Sequence, residues 1–416
     1  DVIITLVPIE YVRVSGVKIT NNFLEALEFL PGSAIRGAVA KSFSSVRGGW
    51  KDIAVREAFL HNPVIFSNFY PNATAQPYLP KPVPLSARTC KAFPGFQCQA
   101  ATAKERASHG TKDILIAATV VKLLREQGIP ALFEDACEYM EDGKRCNSAL
   151  KQLEGFYLYP YRDGEASKKV SRRTTTKTAI NRSRFTSSDG QLYSYEVLNP
   201  RLECFEEITQ PEKRRLRFIG LVRNLSNELK EYLAEKKPLL IGGAKGRGFG
   251  KMKIKNLTDI KDESHNDLKQ RFDKFTSLVQ ELLRATGHPK ANRLFFSLTL
   301  NSDLLLPPGS KMDYLKGEVE RILKLPERGL ELEKAFVRID YRSGFNEALG
   351  IQKDLLPVLI RGSSFVFSCN PDDNIKESII NSLFSLLRNG LGWRREEGFG
   401  QISFCDPFHI ERIKQN

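Results

Sequence analysis

A glycine-rich segment occurs twice in this sequence, and it constrains the fold more than any other feature. The first copy covers residues 240–254 and the second covers residues 390–404. Both carry basic residues and a Gly-Phe-Gly triplet, and both run into a stretch that alternates apolar and polar residues, as a β-strand does. A similar alternation opens each half, at residues 2–14 and 293–300. The sequence therefore predicts two copies of one fold, each closed by a glycine-rich loop that leads into a strand.

The length of 416 residues fits two domains of ordinary size. We predict an α+β class, with a first domain at residues 1–258 that carries an insertion at about 86–165, a helical linker at 259–291 and a second domain at 292–416. The linker repeats apolar residues at helical spacing. Within the insertion, residues 114–127 are predicted to form a helix.

The chain is basic, with 63 Lys and Arg residues against 49 Asp and Glu residues and a formal net charge of +14. Such an excess favours a polyanionic partner, either nucleic acid or an acidic membrane surface. No apolar run approaches the roughly 20 residues of a membrane span, and no export signal is recognisable. Seven cysteines in a long chain argue against a disulfide-linked secreted scaffold. We therefore expect a cytoplasmic protein without a membrane partner.

The two glycine-rich loops match neither of the common nucleotide-binding motifs. A P-loop needs Ser or Thr after its lysine, and that residue is missing from both loops. A dinucleotide-binding loop opens a helix, whereas these loops lead into strands. A P-loop ATPase and a dinucleotide-binding enzyme are therefore disfavoured.

The composition of the loops suits single-stranded RNA instead. Five cations and no acidic residue occur between residues 242 and 255. Aromatic rings can stack on bases, and glycines let a polymer approach the backbone closely. The alternative is a hairpin turn whose phenylalanine belongs to the core. The loop residues assigned to RNA are Lys245, Arg247, Phe249, Lys251, Trp393 and Phe399, with Gly243, Gly246, Gly248, Gly250, Gly392, Gly398 and Gly400 as points of close approach.

A basic run at residues 168–184 is the second candidate for RNA binding. It holds seven cations and no acidic residue, together with many Ser, Thr and Asn side chains that can bind phosphate. Because its threonine-rich composition favours a strand, we favour a hairpin that lines phosphates over a solvated loop. The cations assigned to RNA are Arg172, Arg173, Lys177, Arg182 and Arg184.

Four of the seven cysteines fall in the insertion and suggest a zinc site. The pairs are Cys90 with Cys98 and Cys137 with Cys146, and their spacing is looser than that of most structural zinc sites. A small segment without a large core is stabilised by a bound metal ion. We therefore predict a structural zinc ion held by these four thiols, with four ordinary cytosolic thiols as the alternative.

Short motifs spread along the chain resemble the RAMP superfamily, the repeat-associated proteins of CRISPR effector complexes. They are residues 30–37, residues 180–182 with 190–197, and both Gly-Phe-Gly loops. The second loop, at residues 390–400, together with residues 66–71, resembles most closely the RAMP subunit of type III-D complexes. The matches fall at both ends and in the middle, so the resemblance covers most of the chain.

This resemblance implies tandem ferredoxin-like domains of the RRM type, each with the order βαββαβ. It implies a subunit that holds CRISPR RNA, near its 5′ handle, and meets target RNA through the complex. It also implies contacts with the polymerase-like large subunit and with other RAMP subunits. The helix start at residues 31–41 and both loops would then touch RNA, and this adds Ser33, Arg36, Lys41, Arg394 and Arg395 to the assigned residues. From its residue type, Ser33 is also the predicted N-cap of that helix.

Catalytic residues are hard to recognise in this sequence. Five histidines are scattered, and no common hydrolase or metalloprotease motif occurs. RAMP subunits that cut target RNA carry an aspartate just ahead of the helix start, whereas residues 20–28 contain none; Glu25 and Glu28 are weak substitutes. Repeat-processing RAMP endonucleases rely on an early histidine, and here none precedes His61. We therefore expect a non-catalytic RNA-binding subunit, with a RAMP ribonuclease that cleaves CRISPR repeat or target RNA as the alternative.

Overall fold

A computed structural model describes residues 1–412 of the chain, apart from residues 21–22, 73–77, 97–107, 133–134, 142, 160–169, 182, 202–214, 261–263, 308, 310–312, 327–328, 347–348 and 371–372. Helices and several β-sheets are mixed along the chain, which confirms the predicted α+β class. The helices are α1 Gly32–Val46, α2 Ile53–Arg56, α3 Leu115–Glu126, α4 Asn227–Ala234, α5 His265–Arg284, α6 Asp313–Ile322, α7 Asp373–Asn389 and α8 Pro407–Glu411.

The strands of the first half include those of the insertion and of the basic run. They are β1 Val2–Pro8, β2 Ser15–Thr20, β3 Phe23–Ala26, β4 Ile65–Phe66, β5 Tyr70–Asn72, β6 Leu79–Pro82, β7 Ala87–Cys90, β8 Thr111–Asp113, β9 Met140–Glu141, β10 Lys144–Arg145, β11 Leu150–Gln152, β12 Phe156–Tyr159, β13 Arg172–Asn181, β14 Thr186–Leu198, β15 Arg217–Arg223, β16 Leu239–Leu240 and β17 Lys251–Asp259. Those of the second half are β18 Leu294–Leu300, β19 Leu304–Leu305, β20 Leu330–Phe336, β21 Ile339–Asn346, β22 Ile351–Leu359, β23 Ser364–Cys369 and β24 Ile402–Phe404.

Two antiparallel sheets share one strand order. The first sheet runs β16-β17-β1-β15-β4, and β5 also pairs with β15; the second sheet runs β20-β23-β18-β24. In each sheet the closing strand, which follows a glycine-rich loop, lies on one side of the opening strand. On the other side of the opening strand lies the strand that comes before α4 in the first sheet and before α7 in the second. The helices α1 and α4 in the first half stand at the same places in the element order as α6 and α7 in the second.

Two helices outside that repeated order pack into the core of the second sheet. The predicted helix at 114–127 is confirmed as α3, and its Leu115 and Leu123 are fully buried there. The predicted helix between the halves is confirmed as α5, whose Phe272 and Phe275 are buried in the same core. The inserted segment thus contributes apolar side chains to the second sheet as well as to its own surroundings.

The C-terminal helix α8 joins the insertion to the second sheet through buried polar contacts. Lys81 Nζ lies 2.7 Å from a carboxylate oxygen of Asp406, directly before α8. His409 Nδ1 lies 2.8 Å from Asp113 at the end of β8, and its Nε2 lies 2.7 Å from the Thr299 hydroxyl of β18. These side chains are almost completely buried, so each polar group depends on the others for its hydrogen bonds.

The basic run forms a long hairpin, as predicted from its composition. Strands β13 and β14 pair antiparallel from Arg172 opposite Leu198 to Asn181 opposite Thr186, and the sheet continues through β3 to β2. The hairpin stands beside the first sheet, because Val12 pairs with Leu198 at its base. Within the described residues, no helix is long and apolar enough to cross a bilayer.

The start of α1 differs from the prediction. The residue before the helix is Pro31, and Ser33 is already the second helical residue, so the prediction of Ser33 as N-cap was wrong. The capping acceptor comes from far along the chain: the Gly32 amide donates to Asn68 Oδ1 over 3.0 Å in a buried contact. A side chain from another element therefore replaces the local cap that the sequence pattern indicates.

Candidate nucleic-acid interface and metal centre

The first glycine-rich loop, residues 242–250, lies at the surface with an accessible backbone. Among the described residues, none places an atom within 4 Å of a Cβ built on Gly246 or Gly248. A Cβ on Gly243 would meet only Cδ of the Arg13 side chain, at 3.9 Å. A polymer can therefore approach the backbone of this loop at three of the assigned glycines.

The ends of the first loop are fixed to the strand region after β1. The Gly243 amide donates to the Arg13 carbonyl over 2.8 Å, and the Gly250 amide donates to the Tyr11 carbonyl over 2.9 Å. Gly250 has a φ of 84°, and a Cβ there would stand 2.2 Å from the carbonyl oxygen of Ile241. Gly250 is thus a glycine that the fold itself requires, while the middle of the loop stays open.

Aromatic and cationic side chains surround the first loop. The Arg247 guanidinium donates to the Tyr193 hydroxyl over 2.9 Å, which ties the loop to the β13–β14 hairpin. The Arg173 guanidinium lies 5.7 Å from the centre of the Tyr11 ring. We call this surface the Arg–Tyr patch; its members are Tyr11, Arg13, Arg173, Tyr193 and Arg247.

Beneath the patch, aromatic rings hold the loop in place. Phe249 meets the buried Tyr195 edge to face, with ring centres 6.0 Å apart. The Arg13 guanidinium lies 4.5 Å from the centre of the same Tyr195 ring. Phe249 is half-buried, so part of its area packs in the protein and part remains accessible. Lys245 is half-buried and Lys251 is exposed.

The second glycine-rich loop, residues 392–400, faces the first half of the chain. Gly398 has a φ of 93°, and a Cβ there would stand 2.8 Å from the carbonyl oxygen of Phe66. The Glu397 carboxylate accepts a hydrogen bond from Lys353 Nζ over 2.7 Å. Cβ atoms on Gly392 and Gly400 would likewise meet backbone oxygens, at 2.6 and 1.7 Å. These three glycines approach the protein's own backbone.

The side chains assigned to RNA in the second loop are partly exposed. Trp393 is 41% exposed, and the Arg394 guanidinium lies 4.8 Å from the centre of its ring. Arg395 is exposed and donates to the Asn389 carbonyl over 3.2 Å. Phe399 is half-buried. A stacking face and two cations thus remain at the surface of this loop.

The assigned residues of α1 lie in unlike surroundings. The helix start is covered by the second loop, because a Cβ on Gly32 would stand 2.8 Å from the Glu397 carbonyl oxygen. Ser33, the next residue, is half-buried, and Lys41, two turns later in α1, is exposed. Arg36 donates to the Phe59 carbonyl over 2.7 Å. Of these three assigned residues, Lys41 is the one with an exposed side chain.

The weak catalytic candidates are both paired with one arginine. Arg172 Nη1 lies 2.9 Å from Glu25, and its Nη2 lies 2.7 Å from Glu28. Glu196 on β14 joins the same cluster at 3.3 Å. Burial acts to lower the pKa of Arg172, but the hydrogen bonds that its guanidinium donates to Glu28 and Glu25 raise that pKa above its ordinary value. Arg172 therefore fixes the base of the hairpin to the segment before α1.

The other hairpin cations point away from that cluster. Arg173, Lys177 and Arg184 are exposed, and Arg173 Nη1 donates to the Tyr11 hydroxyl over 3.3 Å. Arg182 lies outside the described residues. The hairpin thus brings Arg173 next to the first loop, which the sequence places some 70 residues away.

Three of the four assigned cysteines come together with a histidine. Cys90, Cys137, Cys146 and His109 place their ligand atoms within 4.8 Å of one another. Cys90, His109 and Cys137 are buried, and Cys146 is half-buried. The fourth assigned thiol, Cys98, lies outside the described residues. The cluster could hold a metal ion, and it includes His109, which the sequence pattern does not assign to a metal site.

Two distances between ligand atoms of the cluster are close to those of a tetrahedral metal site. Cys90 Sγ lies 3.9 Å from Cys146 Sγ, and Cys137 Sγ lies 3.4 Å from His109 Nδ1. Tetrahedral zinc, with bonds of about 2.3 Å to sulfur and 2.0 Å to nitrogen, separates its ligand atoms by roughly 3.5–3.8 Å. Burial raises the pKa of Cys137 to about 11. A bound cation would offset the cost of ionising such a buried thiol.

Local structure orients the ligands. The His109 ring is stacked between Phe93, at 4.3 Å, and Tyr139, at 4.1 Å. The Phe93 amide donates to Cys90 Sγ over 3.4 Å. Burial acts against ionisation, but the amides of Phe93 and Ala92 lower the pKa of the Cys90 thiol. Stacked rings and amide donors of this kind hold metal ligands in position before the ion binds.

The comparison with known families decides the affiliation of the chain. The sequence matches the RAMP superfamily over residues 19–253, which is more than half of its length. The chain belongs to the RAMP superfamily. No curated protein matches this RAMP sequence.

Solved structures with some likeness to this RAMP protein come from the type III-B Cmr-beta complex. A chain of that complex bound to cognate target RNA and AMPPnP is 12% identical, with 88% of this chain and 86% of that chain covered and a TM-score of 0.41. A second structure of the complex, bound to cognate target RNA, is 12% identical, with 91% of this chain and 94% of that chain covered and a TM-score of 0.42. A structure of the apo state is 13% identical, with 63% of this chain and 97% of that chain covered and a TM-score of 0.30. Likeness at this level does not tell what this RAMP protein binds.

Sequence reasoning missed several residues of this RAMP protein that the structure brings to the two sites. His109 is one of five scattered histidines, and only its position between the cysteine pairs distinguishes it. Tyr11 and Arg13 follow the opening strand and meet the first loop through backbone hydrogen bonds. Their signal in the sequence is a cation between two aromatic or apolar residues at a strand end, which is too common to single them out.

Proposed function

We propose that this RAMP protein is a non-catalytic RNA-binding subunit of a type III CRISPR effector complex, of the III-D kind, that acts in the cytoplasm. It holds the guide CRISPR RNA near the 5′ handle and meets target RNA through the complex. The observation that carries the proposal is the open first loop beside the Arg–Tyr patch. Family membership supports the CRISPR context.

The chemistry of that surface suits single-stranded RNA better than a duplex. Accessible glycines at 243, 246 and 248 let a sugar–phosphate backbone come close, and Arg247 and Arg173 supply charge. The half-buried rings of the patch, Tyr11 and Tyr193, can stack on bases with their accessible parts, and such stacking is sequence-tolerant because every base has a π-face. A duplex hides its bases and would leave these rings unused.

Tandem ferredoxin-like domains are the fold we propose for the two halves, with the division at residues 1–258, 259–291 and 292–416. The shared strand order of the two sheets supports it, because both follow the βαββαβ succession with the closing strand beside the opening one. The insertion at about 86–165 interrupts the first half between β5 and β15.

A protein partner is proposed for the hairpin β21–β22. It carries a concentration of large apolar side chains that are more than half exposed, and such patches mark contact surfaces. We assign this face to a neighbouring subunit, either the polymerase-like large subunit or another RAMP subunit. The side chains are Ile339, Tyr341, Phe345, Leu349, Ile351 and Leu355.

Binding of single-stranded RNA by the purified chain tests the proposed function. We expect saturable binding of a labelled repeat-derived guide, with an affinity that falls as salt rises, by about 0.7 log units per tenfold salt for each phosphate neutralised. Charge reversal at Lys245 and Arg247 should flatten that dependence, whereas reversal at Lys274, exposed on α5, should not. A chain that binds no RNA at low salt would overturn the proposal.

Absence of cleavage is the second part of the proposal. Glu25 and Glu28 are held by Arg172, which leaves neither carboxylate free to act on RNA. We expect guide and target RNA to stay intact with Mg²⁺ and with EDTA. Cleavage that disappears in Glu25→Gln would replace this proposal with a ribonuclease.

A structural zinc ion is proposed at Cys90, His109, Cys137 and Cys146. The ligand set is of a common zinc type, and the cluster lies in a segment with a small core of its own. We expect one equivalent of zinc by elemental analysis of the purified chain and a large loss in His109→Ala. The matched control is Cys369→Ser, a buried thiol outside the cluster. Less than half an equivalent in the unaltered chain would remove the assignment.

A further inference from the structure

The closing strand of the first sheet presents a row of lysines to solvent. Lys251, Lys253 and Lys255 are exposed, whereas Met252 and Ile254 between them are buried in the core. Side chains two residues apart along a regular strand, such as Lys251 and Lys253, lie on one face, separated by about 7 Å. Lys255 lies at a bulge of β17, between Ile254 opposite Leu6 and Asn256 opposite Thr5. We call these three side chains the lysine row.

No carboxylate among the described residues neutralises the charges of the lysine row. Within the described part of the chain, none of the three ammonium groups has a carboxylate within ion-pair distance, in contrast to Lys230, which pairs with Asp259 over 2.6 Å. The outer neighbour β16 pairs with β17 only as far as Met252. Beyond that point nothing among the described strands covers the outer edge of β17.

Comparison with the second sheet indicates that a strand at this place in the fold does not need lysines. The equivalent strand β24 follows the second glycine-rich loop in the same way, but there Gln401, Ser403 and Cys405 are buried. The lysine row thus belongs to the half whose loop is open. It begins directly after Gly250, where that loop ends.

We propose that the lysine row binds successive phosphates of an extended single strand of RNA that leaves the first loop and runs along β17. This inference rests on the proposed function and extends it by giving the RNA a path and a direction away from the loop. Phosphates of one duplex strand follow one another at 3.4 Å along the axis. Lys251 and Lys253 stand about 7 Å apart, and Lys255 follows them at the bulge of β17. A row of this kind suits an extended single strand, which can follow the bend of the strand.

Exposed lysines on a strand edge have another known use, since they discourage edge-to-edge aggregation. The two roles differ in what a neutral substitution changes. Loss of an RNA contact lowers affinity and the salt dependence of binding. Loss of edge protection produces light scattering by aggregates while the affinity of the remaining monomer stays the same.

The experiment compares the full chain with the double variant Lys253→Gln/Lys255→Gln, using fluorescence anisotropy with labelled oligouridylates of about 4 to 16 nucleotides, the range of site sizes in single-strand-binding modules. The controls are Lys274→Gln on α5 and the charge-retaining Lys253→Arg/Lys255→Arg. Light scattering is recorded for every sample. Arg247→Gln reports the loop separately.

We expect the double variant to bind the longest oligomer at least fivefold more weakly and the shortest one normally, with the slope of log affinity against log salt reduced by about 1.4 for two lost phosphate contacts. The arginine variant should behave as the unaltered chain. Unchanged affinity and slope for the longest oligomer would overturn the lysine row while leaving the proposed function in place. An unaltered chain that binds no oligomer overturns both.

Discussion

The two glycine-rich loops share one backbone conformation, but they differ in whether other parts of the protein cover them. Residues 242–250 and 392–400 correspond at a constant offset of 150. In each, the residue before the first glycine pairs with the last glycine: the Ile241 amide donates to Gly250, and the Leu391 amide donates to Gly400, both over 2.9 Å. Each also contains a short 3-10 turn between a non-glycine residue and a glycine in the left-handed region. One loop is open to solvent, and the other is covered by the start of α1.

Side chains account for the difference. The first loop has Arg247 where the second has Glu397, and it has glycines at 243 and 246 where the second has Trp393 and Glu396. Because the second loop carries Cβ atoms at the latter two positions, the shared backbone does not require glycine there. The backbone conformation therefore does not explain the glycines at 243 and 246. Close approach of a ligand to the loop backbone would explain them.

The largest effect expected from this comparison concerns Gly398 and Gly248, which both have positive φ. Gly248→Ala should cost about 1–2 kcal/mol of stability, which is the strain of a left-handed alanine in open space. Gly398→Ala should cost about 2–5 kcal/mol, since its Cβ would also stand 2.8 Å from the Phe66 carbonyl oxygen. Urea denaturation of the full chain measures both. Equal losses would contradict the view that Gly398 is packed against Phe66 while Gly248 faces open space.

Much of the fold could be predicted because its signals are local. The strand alternation after each loop, the helical spacing in α5 and the apolar run that became α3 all depend on neighbouring residues. The threonine-rich run likewise gave its hairpin. The start of α1 was misplaced, because its cap is Asn68, an acceptor 36 residues away.

The sites were predicted less completely, because they are assembled from distant segments. His109 reaches the cysteines only after β7 and β8 pair, so the spacing of the thiols along the sequence does not reveal it. The inward orientation of the second loop depends on Gly32 and Phe66, and nothing within residues 390–400 reveals it. A repeated motif therefore predicts a repeated backbone, but not which copy remains free for a ligand.

A smaller effect should separate the roles of the equivalent residues Arg247 and Glu397. Arg247→Gln should lower the affinity for single-stranded RNA by about 1–2 kcal/mol, the contribution of a charge-assisted contact. It should change stability little, because the one hydrogen bond that it removes, to Tyr193, is exposed to solvent. Glu397→Gln should lower stability by about 0.5–1 kcal/mol, because it breaks the half-buried pair with Lys353, and leave RNA affinity unchanged. Anisotropy and urea denaturation give the two readouts. If both variants weakened RNA binding alike, the second loop would also be an RNA contact.

The smallest effect is expected at Gly246, where a substitution separates stability from RNA binding. Its φ is not in the left-handed region, and no described atom lies within 4 Å of where a Cβ would stand. Gly246→Ala should therefore raise stability by about 0.4–1 kcal/mol, as alanine does where the backbone accepts it. The same methyl group would lie where we place the RNA backbone, so affinity should fall about threefold while the protein becomes more stable. Opposite signs in the two measurements cannot arise from partial unfolding. An alanine variant that is more stable and binds RNA as tightly as before would show that the open glycine does not serve close approach.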